Sequence, residues 1–499
     1  MLTRGSSQFS KPTATPTGWL TTAVIGVYVL VVVGATASLA DAAAACSTWP
    51  VCTVSLSDPA VAVAVGHRAL AAVVGLLVLV AGLSALRSDT DPRVKAAAAL
   101  ALALYPAQIG VGALVAISGG AELVPGLHLL VGVSIFGTLL LALAWQLESE
   151  TATEDEVVPT GELEPAPAEE IEPTPSTEQQ LESAPSERLQ LDSATPSATA
   201  PEPAAQSFPA LIRARIATYF RLMKPRLMWL LSLVAAAAMA LAAASGWTLT
   251  VETIVLTLSG GVLAIGASGT FNHVLERDRD RRMSRTNDRP LATHQVPKRN
   301  ALAFGFVLTG LSILLFLQVN ALAAALGFVA ILFYSVIYTL VLKPNTVQNT
   351  VLGGAAGSLP ALIGWAAVTA RIDVAGLLLA AFIFVWTPAH FYNLALAYRE
   401  DYERGGFPMM PVVRGETTTR KHILFWLGAT LVFGSLLIWV TDLGWLTAAT
   451  TVVLGAVFLW AVVRLHHEQT EKAAFRAFHA SNAYLGLFLL AIVVDALAL

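Results

Sequence analysis

Long apolar runs dominate the chain, and their length sets the first expectation. In the first half they lie near 18–40, 60–85, 96–118 and 122–147. Nine more lie near 226–245, 251–273, 301–319, 321–342, 348–369, 373–396, 421–440, 443–463 and 476–498. About twenty apolar residues suffice for a helix to cross a bilayer. In lipid the backbone polar groups of such a segment must be satisfied within helices or closed barrels. One such run could be a buried helix of a soluble protein. Thirteen in series predict an all-α polytopic membrane protein, four spans followed by nine. The run from Trp19 to Ala40 is too long for a signal-peptide core and lacks a clear processing site, so it reads as the first anchored span.

Composition agrees and adds a boundary. The chain has 499 residues, 56% of them hydrophobic, and a mean hydropathy of +0.67, which excludes an ordinary soluble enzyme. The net charge of −4 hides two opposite parts. Residues 148–206 carry 15 Asp and Glu against a single Arg188, while the remainder carries 29 basic against 19 acidic residues. The acidic stretch is rich in Pro, Ala, Ser and Thr and has too little apolar surface to fold. It reads as a disordered, solvated linker, with an acidic interaction tail as the other reading. The predicted organisation is a four-helix transmembrane domain at 1–147, the linker at 148–206 and a second domain at 207–499. Basic residues favour the cytoplasmic side. Arg4 and Lys11 place the N-terminus inside, and alternation brings the linker, residues 274–300, Lys343, 397–420 and 464–475 to that side of the cell membrane.

Chemistry concentrates on those inner loops. Asn272, Glu276 and Asp280 are spaced i, i+4, i+8, which on a helix lines one face at the inner end of a span. Two carboxylates facing a cavity suit Mg²⁺, which binds through one or two carboxylates plus substrate phosphates. Arg285 and Arg289 could grip diphosphate oxygens. A solvated loop of mixed charge is the plainer reading of this run alone. A second polar patch, Pro388 and His390 through Arg399, Asp401 and Tyr402 to Pro411, reaches the same side by span counting and favours a metal-diphosphate clamp. His273, His294, His422, His466, His467 and His479 read as ordinary solvated histidines.

These stretches resemble the paired motifs of the UbiA-type prenyltransferase superfamily, in its protohaem IX farnesyltransferase (haem O synthase) branch. The branch carries N-x-x-x-[DE]-x-x-x-D then x-x-M-x-R-T-x-x-R, matched from Asn272 through Arg289; its Pro-x-His and basic-x-Asp-Tyr elements match Pro388/His390 and Arg399/Asp401/Tyr402. Tyr219 to Lys224 and Arg226, and Tyr338 to Lys343, also fit in order. The resemblance covers about residues 210–499. It implies a nine-helix bundle in which Asn272, Glu276, Asp280 and Asp401 are catalytic, Glu276, Asp280 and Asp401 holding Mg²⁺. It also implies that Lys224, Arg226, Arg285, Arg289, Lys343 and Arg399 neutralise the diphosphate. The implied substrates are farnesyl diphosphate and haem B, with His390 and Tyr402 as candidates on the haem acceptor; His390 reads equally as a satisfied polar residue at a helix end. Glu276 stands where many superfamily members have Asp.

The first four spans carry a different signal. His67 and His128 lie at matched depth, about seven residues or ~10 Å below the outer surface, as a bis-His haem site would require. Two separately hydrogen-bonded histidines are the alternative. Cys46 and Cys52 share the outer loop between the first two spans, where they could form a disulfide, bind metal or stay free. This half resembles a four-helix half of haem A synthase in its C-x-x-W-P-x-C loop and its His67-Arg68 pair, with His128 as the partner histidine. It departs at Ala64, where that family has an acidic residue, so holding or passing haem is implied rather than oxidising it. A haem A synthase downstream is the implied partner, and no nucleic acid. The competing readings are a UbiA-type transferase with a quinone or glycerophosphate acceptor, and a non-catalytic haem carrier or transporter.

Overall fold

The computed structural model describes residues 15–39, 42–52, 57–118, 123–152, 208–441 and 443–498. Among them thirteen helices are long and apolar enough to cross a membrane. Four precede the acidic stretch: α1 (Pro16–Leu39), α2 (Pro59–Arg87), α3 (Pro92–Ser118) and α4 (Val124–Thr151). Nine follow it: α5 (Pro225–Ala244), α6 (Val251–Leu275), α7 (Lys298–Val319), α8 (Ala321–Asn345), α9 (Asn349–Thr369), α10 (Val374–Ala397), α11 (Glu416–Thr441), α12 (Trp445–Glu468) and α13 (Glu471–Ala498). The chain is an all-α, multi-pass membrane protein. Two helices start before their apolar runs: α11 begins at Glu416 and α13 at Glu471, with charged residues in their first turns.

By its contacts the chain forms two units, residues 1–156 with 218–499, and residues 157–217. The described part of the second unit is the start of the helix Phe208–Leu222. The expected linker begins later than composition suggested, because α4 continues through Glu148–Thr151; residues 153–206 lie outside the described residues.

The first four spans do not stand apart from the other nine. α1 and α4 pack on α11 and α12, and both sets contribute to one apolar core. The Tyr28 hydroxyl bonds the Thr451 hydroxyl at 2.9 Å, Gln469 donates to the Thr151 carbonyl at 2.9 Å, and Lys421 pairs with Glu148. These contacts put the ends of α4 and α12 and the start of α11 on one face.

With lipid as the alternative solvent, helix association rests on close packing at small residues. Gly364 is the tightest case between backbones: a Cβ there would lie 2.3 Å from the Ala235 carbonyl oxygen, so α5 and α9 touch directly. Gly364→Ala is expected to cost about 1–3 kcal/mol by overpacking, read as a lowered midpoint of thermal unfolding in detergent. An unchanged midpoint would contradict the backbone contact.

Candidate active site

The spacing of Asn272, Glu276 and Asp280 predicted one continuous helical face. The helix in fact ends at Leu275, and Glu276 caps it, its N–H bonding the Asn272 carbonyl. Asp280 sits in a separate short turn, Arg277–Asp280. The three side chains are nevertheless buried, at 1%, 4% and 2% exposure, and they are drawn together by cations. Lys343, at the end of α8, bonds Glu276 at 2.5 Å. One Arg289 nitrogen bonds both Asp280 oxygens at 2.7 and 2.8 Å and lies 3.9 Å from Glu276. Lys224, just before α5, donates to the Asn272 amide oxygen.

A buried charge survives only when it is paired, and this cluster pairs two carboxylates with three cations. Burial pushes the Glu276 carboxyl up, but Lys343, Lys224 and Arg289 together outweigh it and hold the group below its ordinary value. Burial and the charges of Arg289 and Lys343 draw the Lys224 ammonium down to about 7, against the attraction of Glu276. Lys224 also has a left-handed backbone (φ 55°), an uncommon state for a residue with a Cβ that recurs at functional sites.

The loop after Asp280 folds back through Thr286, whose hydroxyl donates to the Asp280 carbonyl at 3.0 Å, and Arg281, which donates to the Ala292 carbonyl at 3.1 Å. Asp401 fastens this loop to the second motif. Its two oxygens accept the Ser284 and Arg285 backbone N–H groups at 3.1 and 3.0 Å, and Arg404 adds an ion pair. Burial raises the Asp401 carboxyl, but these donors more than offset it and leave it depressed. Among the described residues no group of three or more His, Cys, Asp or Glu is placed to hold a metal ion. Glu276 and Asp280 are brought together, while Asp401 is engaged with the loop and lines a neighbouring polar groove with Arg285, Arg399 and Arg404.

Arg285 lies over the Tyr398 and Tyr402 rings, with centroids at 4.7 and 5.1 Å, and donates to the Tyr402 hydroxyl at 3.1 Å. Arg399 is exposed and paired with Glu416 at 3.2 Å, and Arg226 is exposed at the start of α5. His390 is packed between Trp386 and Phe478, each 4.4 Å away and nearly parallel, and its Nδ1 is 2.7 Å from the Ser481 hydroxyl. Both faces of that ring are therefore covered.

Several site residues escaped the sequence reading. Residues Phe333–Leu342 of α8 are π-helical, a form that gathers at functional sites. Thr339 on this turn accepts from the Asn272 amide at 3.1 Å, and Tyr334 accepts from Lys224 at 3.3 Å. The motif Tyr338 to Lys343 marked the place, yet nothing in an apolar run signals π winding. His273 and His466 are buried, not solvated as expected; His466 faces the Val462 carbonyl at 2.9 Å, and the His273 Nδ1 has no partner. From Lys224 and Tyr334 an apolar cavity runs between α5, α6, α8 and α9, past Ser268, Gly261 and Ala235. The cluster thus joins an anion-seeking polar end to a greasy channel.

In the first four spans, the His67 and His128 rings lie 6.4 Å apart. Gly34 and Gly112 face them, and a Cβ at Gly112 would come within 2.9 Å of the His128 ring. Cys46 and Cys52 form a disulfide, and Arg68 holds that loop through the carbonyls of Cys46, Thr48 and Pro50 at 2.8 to 3.2 Å. Ala64 packs beside Cys46.

The chain is similar to known proteins. Residues 232–491 match the UbiA prenyltransferase family. A protohaem IX farnesyltransferase of Haloarcula marismortui is 61% identical over 97% of this chain and 98% of its own. Another, from Natronomonas pharaonis, is 62% identical over 96% of this chain and 98% of its own. A solved digeranylgeranylglyceryl phosphate synthase is similar at 16% identity and a TM-score of 0.49, covering 57% of this chain and 100% of that one.

Removing Arg289 would leave Asp280 buried without its cation. Arg289→Met is expected to cost about 3 kcal/mol of stability, and Asp280→Asn in the same chain should restore part of it. Thermal unfolding in detergent checks this; additive losses from the two substitutions would contradict the pairing.

Proposed function

The chain belongs to the UbiA prenyltransferase family, among the protohaem IX farnesyltransferases; from that premise we propose that it transfers the farnesyl group of farnesyl diphosphate to a vinyl group of haem B, giving hydroxyethylfarnesyl haem (haem O). The observation that carries this reading is the buried Asn272, Glu276 and Asp280 set, ringed by Lys224, Lys343 and Arg289 at the mouth of an apolar cavity.

The donor set suits Mg²⁺: two buried carboxylates and an amide oxygen, hard ligands that leave room for substrate phosphates. Glu276 and Asp280 would hold the ion with Asn272, and when bound it supplies charge stabilisation to the departing diphosphate. Lys343 and Arg289 would then turn from the carboxylates, and Lys224 from the Asn272 amide oxygen, toward the phosphate oxygens. The allylic C–O bond breaks, the pair of electrons leaves with the diphosphate, and the haem vinyl carbon forms a bond to C1 of the farnesyl cation. Water adds to the resulting cation and loses a proton, leaving the hydroxyl. Fixed cations near the leaving group favour the first step, and the water-poor channel protects the carbocation. Asp401 serves by ordering the loop of Arg285, whose guanidinium and that of Arg399 flank the groove. The proposed setting is the cell membrane with this face toward the cytoplasm, and a haem A synthase as consumer of the product.

For the first four spans we propose a bound haem held by His67 and His128. The supporting observations are the 6.4 Å ring spacing, close to the ~6 Å needed when one metal bonds two imidazoles at ~2 Å, the buried Nδ1 atoms without partners and the glycines facing both rings. The Gln108 amide donates to the His128 carbonyl at 2.9 Å and stands 3.4 Å from the His128 Nε2.

Two experiments test these readings. Membranes holding the chain, given haem B, farnesyl diphosphate and Mg²⁺, should yield hydroxyethylfarnesyl haem by mass; Glu276→Gln with Asp280→Asn should fall below about one hundredth of that rate. No such product from folded wild-type protein would overturn the reading. In the purified chain, His67→Ala or His128→Ala should abolish a bis-imidazole haem spectrum that the carboxylate variant keeps. A spectrum unchanged in both histidine variants would remove the proposed haem site.

A further inference from the structure

The apolar cavity has a definable depth and an unusual residue in its wall. It is lined along α5 by Leu227, Leu231 and Ala235, and along α6 by Ser268, Gly261 and Thr257. Lys224 and Ser268 lie at its polar mouth. Eleven residues separate Lys224 from Ala235, and eleven separate Ser268 from Thr257, about 16 Å at the rise of a helix. Two antiparallel helices thus give the same depth, comparable to an extended fifteen-carbon chain.

Gly261 sits about 10 Å down this wall, seven residues from Ser268. Glycine in mid-helix weakens the helix relative to alanine. In membrane proteins the usual compensation is close helix packing. Its neighbour Gly260 fits that account, since a Cβ there would meet the Phe316 ring at 3.0 Å. Gly261 does not: a Cβ there would meet no atom within 4 Å, although the residue lines the cavity. At the other lining glycine, Gly269, a Cβ would come within 3.0 Å of the Leu222 carbonyl oxygen, so that residue also has a packing reason. What Gly261 supplies is empty volume inside the channel.

We propose that Gly261 is a specificity-determining residue, its missing side chain making room for the distal part of a fifteen-carbon prenyl chain. This rests on the reading of the site as one for a prenyl diphosphate. A side chain at 261 would project into the channel at about 10 Å, where a ten-carbon chain, two-thirds the length of a fifteen-carbon one, reaches its end. The fifteen-carbon donor must pass this point and should then be blocked, while shorter donors lose far less. The effect is on chain length alone, because the residue lies far from the carboxylates and cations at the mouth.

The test measures binding of unreactive farnesyl and geranyl thiodiphosphates, with Mg²⁺, to the purified full-length chain. In Gly261→Leu the farnesyl analogue should weaken at least about tenfold, a typical cost of steric exclusion in an apolar pocket, while the geranyl analogue changes less than about twofold. Gly261→Ala, which favours the helix and fills less space, should show a smaller shift in the same direction. Gly260→Ala, a packing change, should lower thermal stability and leave the farnesyl-to-geranyl ratio unaltered. An unchanged ratio in both Gly261 variants, or equal weakening of both analogues, overturns the proposal. If the ratio shifts as expected but wild-type membranes make no prenylated haem, the haem reading fails and the role of Gly261 stands.

Discussion

Charge balance in a buried place is the constraint on which the rest of this structure depends. Just beyond the C-terminal end of α6, Glu276 and Asp280 are removed from water together with Lys224, Lys343 and Arg289. Left alone, any of these groups would be too costly to bury. Held together, Lys343 and Arg289 balance the two carboxylates, and Lys224, its ammonium drawn down to about 7, adds positive charge when protonated, which invites an anion. A diphosphate brings more negative charge than that surplus can neutralise, and a divalent cation on the carboxylates restores the balance. On the proposed reading, the resting pairs and the working site are two distributions of the same charges.

Much of this was legible in the chain. Spans came from length and hydropathy because lipid forbids most alternatives to a helix, and the thirteen apolar runs became thirteen helices. The motif residues Asn272, Glu276, Asp280, Arg289 and Lys343 converge as their types suggested. Other details were hidden for identifiable reasons. The break at Glu276 arises from a cap, which i, i+4, i+8 spacing cannot reveal. Tyr334 and Thr339 read as ordinary residues of an apolar run, because π winding has no pattern of its own. Asp401, which the resemblance implies as a metal ligand, also receives backbone N–H groups that only the folded loop supplies. His273 looked solvated because its sequence neighbours are charged, yet tertiary packing buries it.

The joining of the first four spans to the other nine was likewise invisible to composition, which marked only the acidic stretch between them. Contacts at Tyr28–Thr451 and Lys421–Glu148 tie α1 and α4 to α11 and α12. Along α4, His128 and Thr151 are 23 residues apart, about 34 Å of helix. The imidazole pair and the end of α4 beside Gln469 thus lie about a bilayer core apart.

The central claim is that the buried carboxylates act by recruiting a divalent cation that lets the surrounding Lys and Arg accept a diphosphate. Its most direct test is the Mg²⁺ dependence of farnesyl thiodiphosphate binding, measured by calorimetry on the purified chain with the metal and with chelator. Affinity should rise at least about tenfold with Mg²⁺, equivalent to ~1.4 kcal/mol, and the rise should vanish when Glu276 and Asp280 become Gln and Asn. Equal affinity with and without the metal in the wild-type chain would contradict the account.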